Sequence, residues 1–161
     1  MPVVSSTKDE SALTLTLVAE YDVSPERVWQ LWADPRQLER WWGPPSWPAT
    51  FEQHDFTPGG EASYFMTGPN GEKARGWWKF TAIDEPRSIE LDDGFSDDAG
   101  APNPDMPTMR MRADIEATDS GSRMTVTTYF RSTAEMEQLV GMGMVEGITE
   151  AAGQIDALLA G

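Results

Sequence analysis

Few side chains in this sequence could carry out acid–base chemistry inside a folded domain. The chain has one histidine, His54, and no cysteine, which excludes thiol nucleophiles, thiolate metal sites and multi-histidine metal centres. A Ser-His-Asp arrangement would have to use His54. This residue is predicted to point to the opposite side of its strand from Phe51 and lies near a turn, so an edge or solvated position is favoured. Tyr64, His54 and Asp55 are the acid–base candidates. This short inventory favours a binding module over an enzyme, and no cofactor or metal is expected.

Aromatic side chains are concentrated in one part of the chain. Five of the seven tryptophans lie within residues 29–47, namely Trp29, Trp32, Trp41, Trp42 and Trp47. Indoles at the mouth of a pocket could stack on a flat or apolar ligand. Packing of two short helices against a sheet is the favoured alternative, because Trp32 and Trp41 lie on helical stripes. Trp77 and Trp78 are adjacent in a predicted strand, so we expect Trp78 to point inward and Trp77 outward, as a candidate homodimer contact.

Inward-facing methionine, aromatic and small residues form a candidate cavity lining. Methionine is flexible, so a cavity lined by it would adapt to varied apolar ligands, although ordinary core filling explains the same pattern and is favoured. The candidates occupy inward strand positions or the apolar side of the last helix: Tyr64, Met66, Trp78, Phe80, Met109, Met111, Phe130, Met136, Val140, Gly143, Met144 and Gly147. We predict that they surround an internal ligand-binding cavity.

Glycines in the last predicted helix need an explanation, because each costs about 0.8–1 kcal/mol relative to alanine in a helix interior. They are Gly141, Gly143, Gly147 and Gly153. Gly143 and Gly147 fall on the same helical face as Val140 and Met144. Their missing side chains indicate either a close approach to bulky sheet residues such as Trp78, which is favoured, or free volume for a ligand.

Local patterns predict the elements that must position these residues. The alternation of Leu13, Leu15 and Leu17 predicts a half-buried strand. Two short helices follow, since Ser24-Pro25 and Asp34-Pro35 each place a capping residue before a proline. Alternating runs separated by glycine and proline turns then predict antiparallel strands with one face in water.

Two further segments complete the predicted order. Residues Asp92 to Pro107 carry four aspartates in the pairs Asp92-Asp93 and Asp97-Asp98 and three prolines after Gly100, which is typical of a long solvated loop. The capping box from Ser132 to Glu135 then opens one helix of about 25 residues.

Length and charge limit the classes of partner. The 161 residues suit a single domain over residues 12–161, after a polar lead over residues 1–11 that we expect to be flexible. A net charge of −15 argues against nucleic acid and anionic membrane surfaces as partners. Without a secretory leader pattern or a run of 18 apolar residues, the chain is expected to be soluble and cytoplasmic.

Several segments, spread over about residues 12–160, resemble the START/SRPBCC superfamily and, within it, the family named after the activator of the Hsp90 chaperone ATPase. They are Val23-Ser24-Pro25-Glu26-Arg27-Val28-Trp29, Leu38-Glu39-Arg40-Trp41-Trp42-Gly43-Pro44, Pro58-Gly59-Gly60, Thr67-Gly68-Pro69-Asn70-Gly71 and Gly143-Met144-Val145-Glu146-Gly147. The resemblance implies an α+β helix-grip fold: a curved antiparallel sheet of about six to seven strands around a long C-terminal helix, with two short helices after the first strand.

The resemblance also implies a cavity between sheet and helix, which different members use for different ligands or for catalysis, so the fold does not select a function. We carry three hypotheses forward. The first is binding of an apolar or aromatic small molecule in the cavity. The second is an interaction with a chaperone, implied by the family name alone, and the third is a cyclase-like or hydrolase-like activity in the same cavity.

Overall fold

The computed structural model describes residues 3–160 and contains eight strands and five helices in that range. The strands are β1 (Val3–Asp9), β2 (Thr14–Tyr21), β3 (Ala49–His54), β4 (Glu61–Thr67), β5 (Lys73–Asp84), β6 (Ser88–Phe95), β7 (Met109–Ala117) and β8 (Ser122–Tyr129). The helices are α1 (Pro25–Ala33), α2 (Pro35–Leu38), α3 (Thr133–Gly141), α4 (Met144–Gly153) and α5 (Ile155–Ala160). All the strands pair antiparallel in one curved, open sheet in the order β1-β2-β8-β7-β6-β5-β4-β3.

The predicted fold class is confirmed: the chain has an α+β helix-grip architecture, with helical segments at the C-terminus and two short helices after a strand. The sheet has eight strands rather than the expected six to seven. The additional strand falls in residues 1–11, where the polar sequence predicts a flexible lead, whereas Val3–Asp9 pair with β2. Edge strands can be short and polar because they share one side with water, which explains why the hydrophobic pattern does not predict β1.

The two short helices begin where their capping residues predict. The Ser24 hydroxyl accepts a hydrogen bond from the Arg27 N–H, and the Asp34 carboxylate accepts one from the Arg36 N–H. In each helix a proline occupies the first turn, where its missing N–H costs nothing. The predicted apolar stripe of α1 is buried, with Trp32 1% exposed.

The prediction of a single closing helix is wrong in one respect, since the structure divides this segment into α3, α4 and α5. Gly143 adopts φ +90°, in the left-handed region, and its N–H donates to the Val140 carbonyl as α3 ends. A glycine in this conformation is a common helix terminator, because other residues are strained there. Its carbonyl then accepts from the Gly147 N–H at 2.8 Å, in the first turn of α4.

The predicted loop from Asp92 to Pro107 begins later than expected. Strand β6 continues to Phe95, and Asp93 is a buried residue of that strand with 8% exposure. Outward positions of β7 carry charge as predicted, and the Arg110 guanidinium lies 3.1 Å from the Asp92 carboxylate on that face. The first acidic pair therefore divides between the two faces of the sheet.

The inner face of the sheet carries the main core. Five aromatic residues, called the aromatic cluster below, pack together where α1 meets the sheet and are each at most 3% exposed: Trp32 of α1, Trp41, Phe51, Trp78 and Phe80. A second apolar group forms under α3 from Leu15, Met109, Phe130, Met136 and Leu139. Within residues 3–160, no helix is long and apolar enough to cross a membrane.

Candidate ligand-binding site

A cavity of about 560 Å³ opens between the inner face of β4–β7, the segment that joins α2 to β3, and the helices α3 and α4. Its lining is largely apolar and consists of Trp42, Pro44, Trp47, Tyr64, Met66, Ala74, Asp93, Gly94, Phe95, Met109, Met111, Leu139, Met142, Gly143, Met144, Gly147 and Ile148. Ala74 and Met142 are exposed and mark its mouth, while Tyr64, Asp93 and Met111 are buried and form its floor. Volumes of roughly 300–1,000 Å³ are usual for small-molecule sites.

Of the twelve residues predicted to surround a cavity, the structure brings seven together on this lining: Tyr64, Met66, Met109, Met111, Gly143, Met144 and Gly147. The other five lie elsewhere. Trp78 and Phe80 belong to the aromatic cluster, where neighbouring rings fill the space around them. Phe130 and Met136 are buried in the second apolar group, and Val140 packs against it. Inward parity places a side chain on the correct face, but not at the position along that face where space remains.

Ten lining residues are not among the twelve predicted, although the sequence does suggest a pocket-mouth role for the tryptophans: Trp42, Pro44, Trp47, Ala74, Asp93, Gly94, Phe95, Leu139, Met142 and Ile148. For Asp93 the sequence does contain a pattern that predicts an inward-facing, buried side chain. Ile89, Leu91 and Asp93 alternate along β6, and all three are buried. The acidic residues from Asp92 onward predict a solvated loop instead, so the alternation is not extended to Asp93.

The helix glycines border free volume. A Cβ atom at Gly147 or Gly143 would meet no atom within 4 Å outside its own chain neighbours and nearby helix backbone. Close approach to bulky sheet residues, the interpretation favoured from the sequence, is therefore wrong. The alternative, that missing side chains leave space, describes both glycines, and both line the cavity.

Tyr64 and Asp93 form a polar pair on the cavity floor. Tyr64 lies opposite Gly76 in the pairing of β4 with β5, and a Cβ atom at Gly76 would come within 2.5 Å of the Tyr64 hydroxyl oxygen. Because Gly76 has no side chain, the tyrosine ring can extend over β5 towards β6. There the hydroxyl donates a long hydrogen bond of 3.4 Å to Asp93 Oδ1. Asp93 Oδ2 accepts no hydrogen bond from the residues that the structure describes.

The environment of this pair alters both pKa values. Burial raises the pKa of the Asp93 carboxyl to about 7, against the opposing effects of the Tyr64 hydroxyl and the Trp78 indole N–H. The Trp78 N–H acts here as a nearby dipole, since it lies outside hydrogen-bond geometry. Burial, followed by the charge of Asp93, raises the pKa of Tyr64 above its ordinary value of 10. The cavity floor therefore presents a carboxyl that exchanges its proton near neutral pH, beside a hydroxyl that stays protonated.

The tryptophans divide between the two roles considered for them. Trp29, Trp32 and Trp41 pack the short helices onto the sheet and are at most 2% exposed. Trp42 and Trp47 line the cavity instead, and a Cβ at Gly68 would lie 2.6 Å from the Trp47 ring, so that glycine makes room for the indole. The half-buried indole of Trp77 covers Gly94, its partner in the pairing of β5 with β6. Its predicted homodimer contact stays a prediction.

His54 does not line the cavity; it lies on the edge strand β3 and is half-buried rather than solvated. Its Nε2 lies 3.0 Å from the Trp32 carbonyl oxygen and so acts as a donor, which leaves Nδ1 buried without a partner among the described residues. Burial lowers the pKa of His54. Its ring stacks on Phe56 with 5.4 Å between centroids, as part of the packing beneath α1. Within residues 3–160, no group of three or more His, Asp or Glu side chains is placed to hold a metal ion.

Comparison with known proteins identifies the family. Residues 22–160 match the family described as Activator of Hsp90 ATPase homolog 1-like protein. The chain belongs to this family. The resemblance carried by the sequence segments is thereby confirmed, and family membership supports a ligand-binding type of domain. No curated protein is significantly similar to the chain.

Solved structures agree with this assignment. The solution NMR structure of a protein from Arthrobacter aurescens is 52% identical, with a TM-score of 0.94 over 98% of this chain and 92% of that one. A crystal structure from Mycobacterium smegmatis is 47% identical, with a TM-score of 0.91 over 98% of this chain and 97% of that one. The AHSA1 protein from Silicibacter pomeroyi shares the fold, at 23% identity and a TM-score of 0.74 over 91% of this chain and 97% of that one.

Proposed function

We propose that this protein binds an apolar or aromatic small molecule in the cavity between its sheet and the helices α3 and α4. The observation that carries the proposal is the coincidence of about 560 Å³ of accessible volume with a wall of methionine and aromatic side chains. Methionine side chains adapt their shape at little cost, and Trp42, Trp47 and Tyr64 offer flat faces for stacking. This lining suits a ligand with a rigid, flat, apolar body.

The helix glycines support the same proposal through their energetic cost. Gly147 lies in the interior of α4, where glycine is about 0.8–1 kcal/mol less favourable than alanine. An alanine there would meet no steric obstacle, since a Cβ has no neighbour within 4 Å. Stability alone therefore does not explain Gly147, whereas space for a ligand does.

The other two hypotheses have less support. A chaperone interaction rests on the family name, and the exposed large hydrophobic side chains on the described surface are Tyr129 and Met142, of which Met142 belongs to the cavity mouth. For catalysis, Tyr64 is the one of the three acid–base candidates that lines the cavity, and burial raises its pKa above the ordinary value, so its hydroxyl stays protonated. We therefore rank ligand binding first.

A neutral fluorescent probe tests the proposal. N-phenyl-1-naphthylamine should bind the wild-type protein with an increase in fluorescence. In Gly147→Leu the new side chain would project into the cavity, so we expect affinity to fall by about tenfold or more, equivalent to about 1.4 kcal/mol. Gly141→Leu is the matched control, because Gly141 is exposed, has the same open surroundings and does not line the cavity. Equal binding by both variants, with both folded, would contradict the proposal.

A further inference from the structure

The cavity lining has a single charged residue, and its charge is negative. Asp93 is the one acidic side chain on the described lining, and neither lysine nor arginine contributes to it. Asp93 is 8% exposed, and Oδ1 has only the 3.4 Å hydrogen bond from Tyr64. A buried carboxylate is costly unless charged or strong hydrogen-bond donors surround it. The carboxylate form of Asp93 is therefore under-compensated by the protein itself.

Asp93 Oδ2 is the atom available to a ligand. It accepts no hydrogen bond from a described residue, yet protein atoms do not enclose it completely, so it stays accessible from the cavity. By contrast, the indole nitrogens of Trp42 and Trp78 are fully enclosed and out of reach. A bound molecule can therefore offset the burial of Asp93 by donating a hydrogen bond to Oδ2.

The surroundings favour a positively charged donor over a neutral one. Trp42, Tyr64 and Phe95 line the cavity with Asp93, and the faces of aromatic rings attract cations when water is excluded. The net charge of −15 raises the local concentration of cations and opposes the entry of anions. A carboxylate, aromatic walls and an acidic protein all select the same sign of charge.

We propose that the cavity selects organic cations: molecules with an apolar, aromatic body and a protonated amine that donates to Asp93 Oδ2. This inference rests on the proposed function and names the ligand class for the same site. The aromatic body would occupy the methionine-lined volume, and the ammonium group would lie at the floor.

Proton exchange at Asp93 makes the selection depend on pH. The carboxyl has a pKa raised to about 7 by burial, and only its ionised form attracts an ammonium group. Tyr64 on β4 is the titratable group that faces Asp93. The residues paired with Asp93 on the neighbouring strands β5 and β7 are Trp78 and Met109, neither of which titrates. The lining residues of α3 and α4 are uncharged. Amine affinity should therefore rise with pH as Asp93 loses its proton.

Three ligands with one naphthalene body test the inference: 2-(2-naphthyl)ethylamine, 2-(2-naphthyl)ethanol and 2-naphthylacetate. At about pH 8 we expect the amine to bind roughly tenfold or more tightly than the alcohol, and the acid to bind most weakly. Between about pH 5.5 and 8.5 amine affinity should rise by about 30-fold, since the ionised fraction of a group with pKa near 7 changes by that factor. Alcohol affinity should change little.

Asp93→Asn keeps the shape of the side chain and should remove both the amine preference and its pH dependence. Asp92→Asn is the matched control, because Asp92 points to the outer face and pairs with Arg110. A wild-type protein that binds the alcohol as tightly as the amine at pH 8 would overturn this inference and leave the proposed function standing. Failure of N-phenyl-1-naphthylamine and all three naphthalene ligands to bind would overturn both.

Discussion

At one end of the sheet's inner face, around Trp32, aromatic rings fill the space, whereas at the other end, around Gly147, the helix has no side chain to fill it. Trp32 lies 5.0 Å from Trp41 and 6.1 Å from Trp78, measured between ring centroids. Its indole N–H donates to the Met124 sulfur at 3.3 Å, and the Trp41 N–H donates to the Leu31 carbonyl at 2.9 Å. At this end, therefore, both indole N–H groups have hydrogen-bond acceptors, and the rings fill the space between helix and sheet.

Each end also buries a titratable side chain in a different manner. His54 donates to the Trp32 carbonyl within packed rings, and burial lowers its pKa, so the neutral form is favoured. Asp93 borders the cavity with one oxygen unpartnered among the described residues. A buried ionisable group with accessible volume beside it can meet a ligand, as at Asp93, whereas one enclosed by rings belongs to the packing, as at His54.

We call the end around Trp32 the closed end and the end around Gly147 the open end. The largest expected effect is on protein stability when the closed end is altered. Trp32→Ala should lower the free energy of unfolding by about 3–5 kcal/mol, because it removes a 1% exposed indole and leaves a cavity behind. Met144→Ala, at the open end, should cost about 1 kcal/mol or less, since Met144 is only half-buried and already borders free volume. Urea denaturation measures both values. Similar losses in the two variants would contradict the contrast between the ends.

The next largest effect concerns Asp93 and pH. Its pKa rises from 3.8 to about 7 on folding, so the native state binds more protons than the unfolded state between these values. The contribution of Asp93 to the free energy of unfolding therefore falls, by up to about 4 kcal/mol, as pH rises from about 4 to above 7. Asp93→Asn removes this loss, so the free energy of unfolding of the variant should exceed that of the wild type by an amount that grows with pH. Urea denaturation across this range tests the trend, and a difference independent of pH would contradict it.

A smaller effect separates two glycines of the cavity wall. Gly143→Ala should destabilise the protein by about 1–2 kcal/mol, because Gly143 has φ +90° and an L-residue is strained there. Gly147→Ala should stabilise it by up to about 1 kcal/mol, because Gly147 is an interior helical residue with open space beside it. Melting temperatures that move in the same direction for both variants would contradict the separate roles assigned to them.

The sequence predicts the fold well because its determinants are local and repeated. The Ser24 and Asp34 caps, the alternating strands and the start of α3 at Ser132 each depend on a few adjacent residues, and the structure contains them all. The break at Gly143 is different. Four glycines lie in the predicted helix, and which of them adopts a left-handed conformation depends on tertiary packing.

The site is predicted only in part for a related reason. Alternation identifies Tyr64 and Met111 as inward residues, but whether an inward residue meets a cavity or a neighbouring ring depends on side chains distant in the sequence. Trp78 shows this, because Trp32 and Trp42 lie against it, with centroids 6.1 and 4.8 Å away. Asp93 was predictable from the parity of Ile89 and Leu91, yet its charge suggested solvent exposure.

Methionine methyl NMR with N-phenyl-1-naphthylamine tests most directly whether the open end is the binding site. The methionines report separately on the two ends, since Met109, Met111 and Met144 line the cavity while Met124 is buried against Trp32. Binding should shift the methyl resonances of Met109, Met111 and Met144 through the ring current of the naphthalene and leave that of Met124 in place. Unchanged resonances for the three cavity methionines, or a shift confined to Met124, would contradict the account.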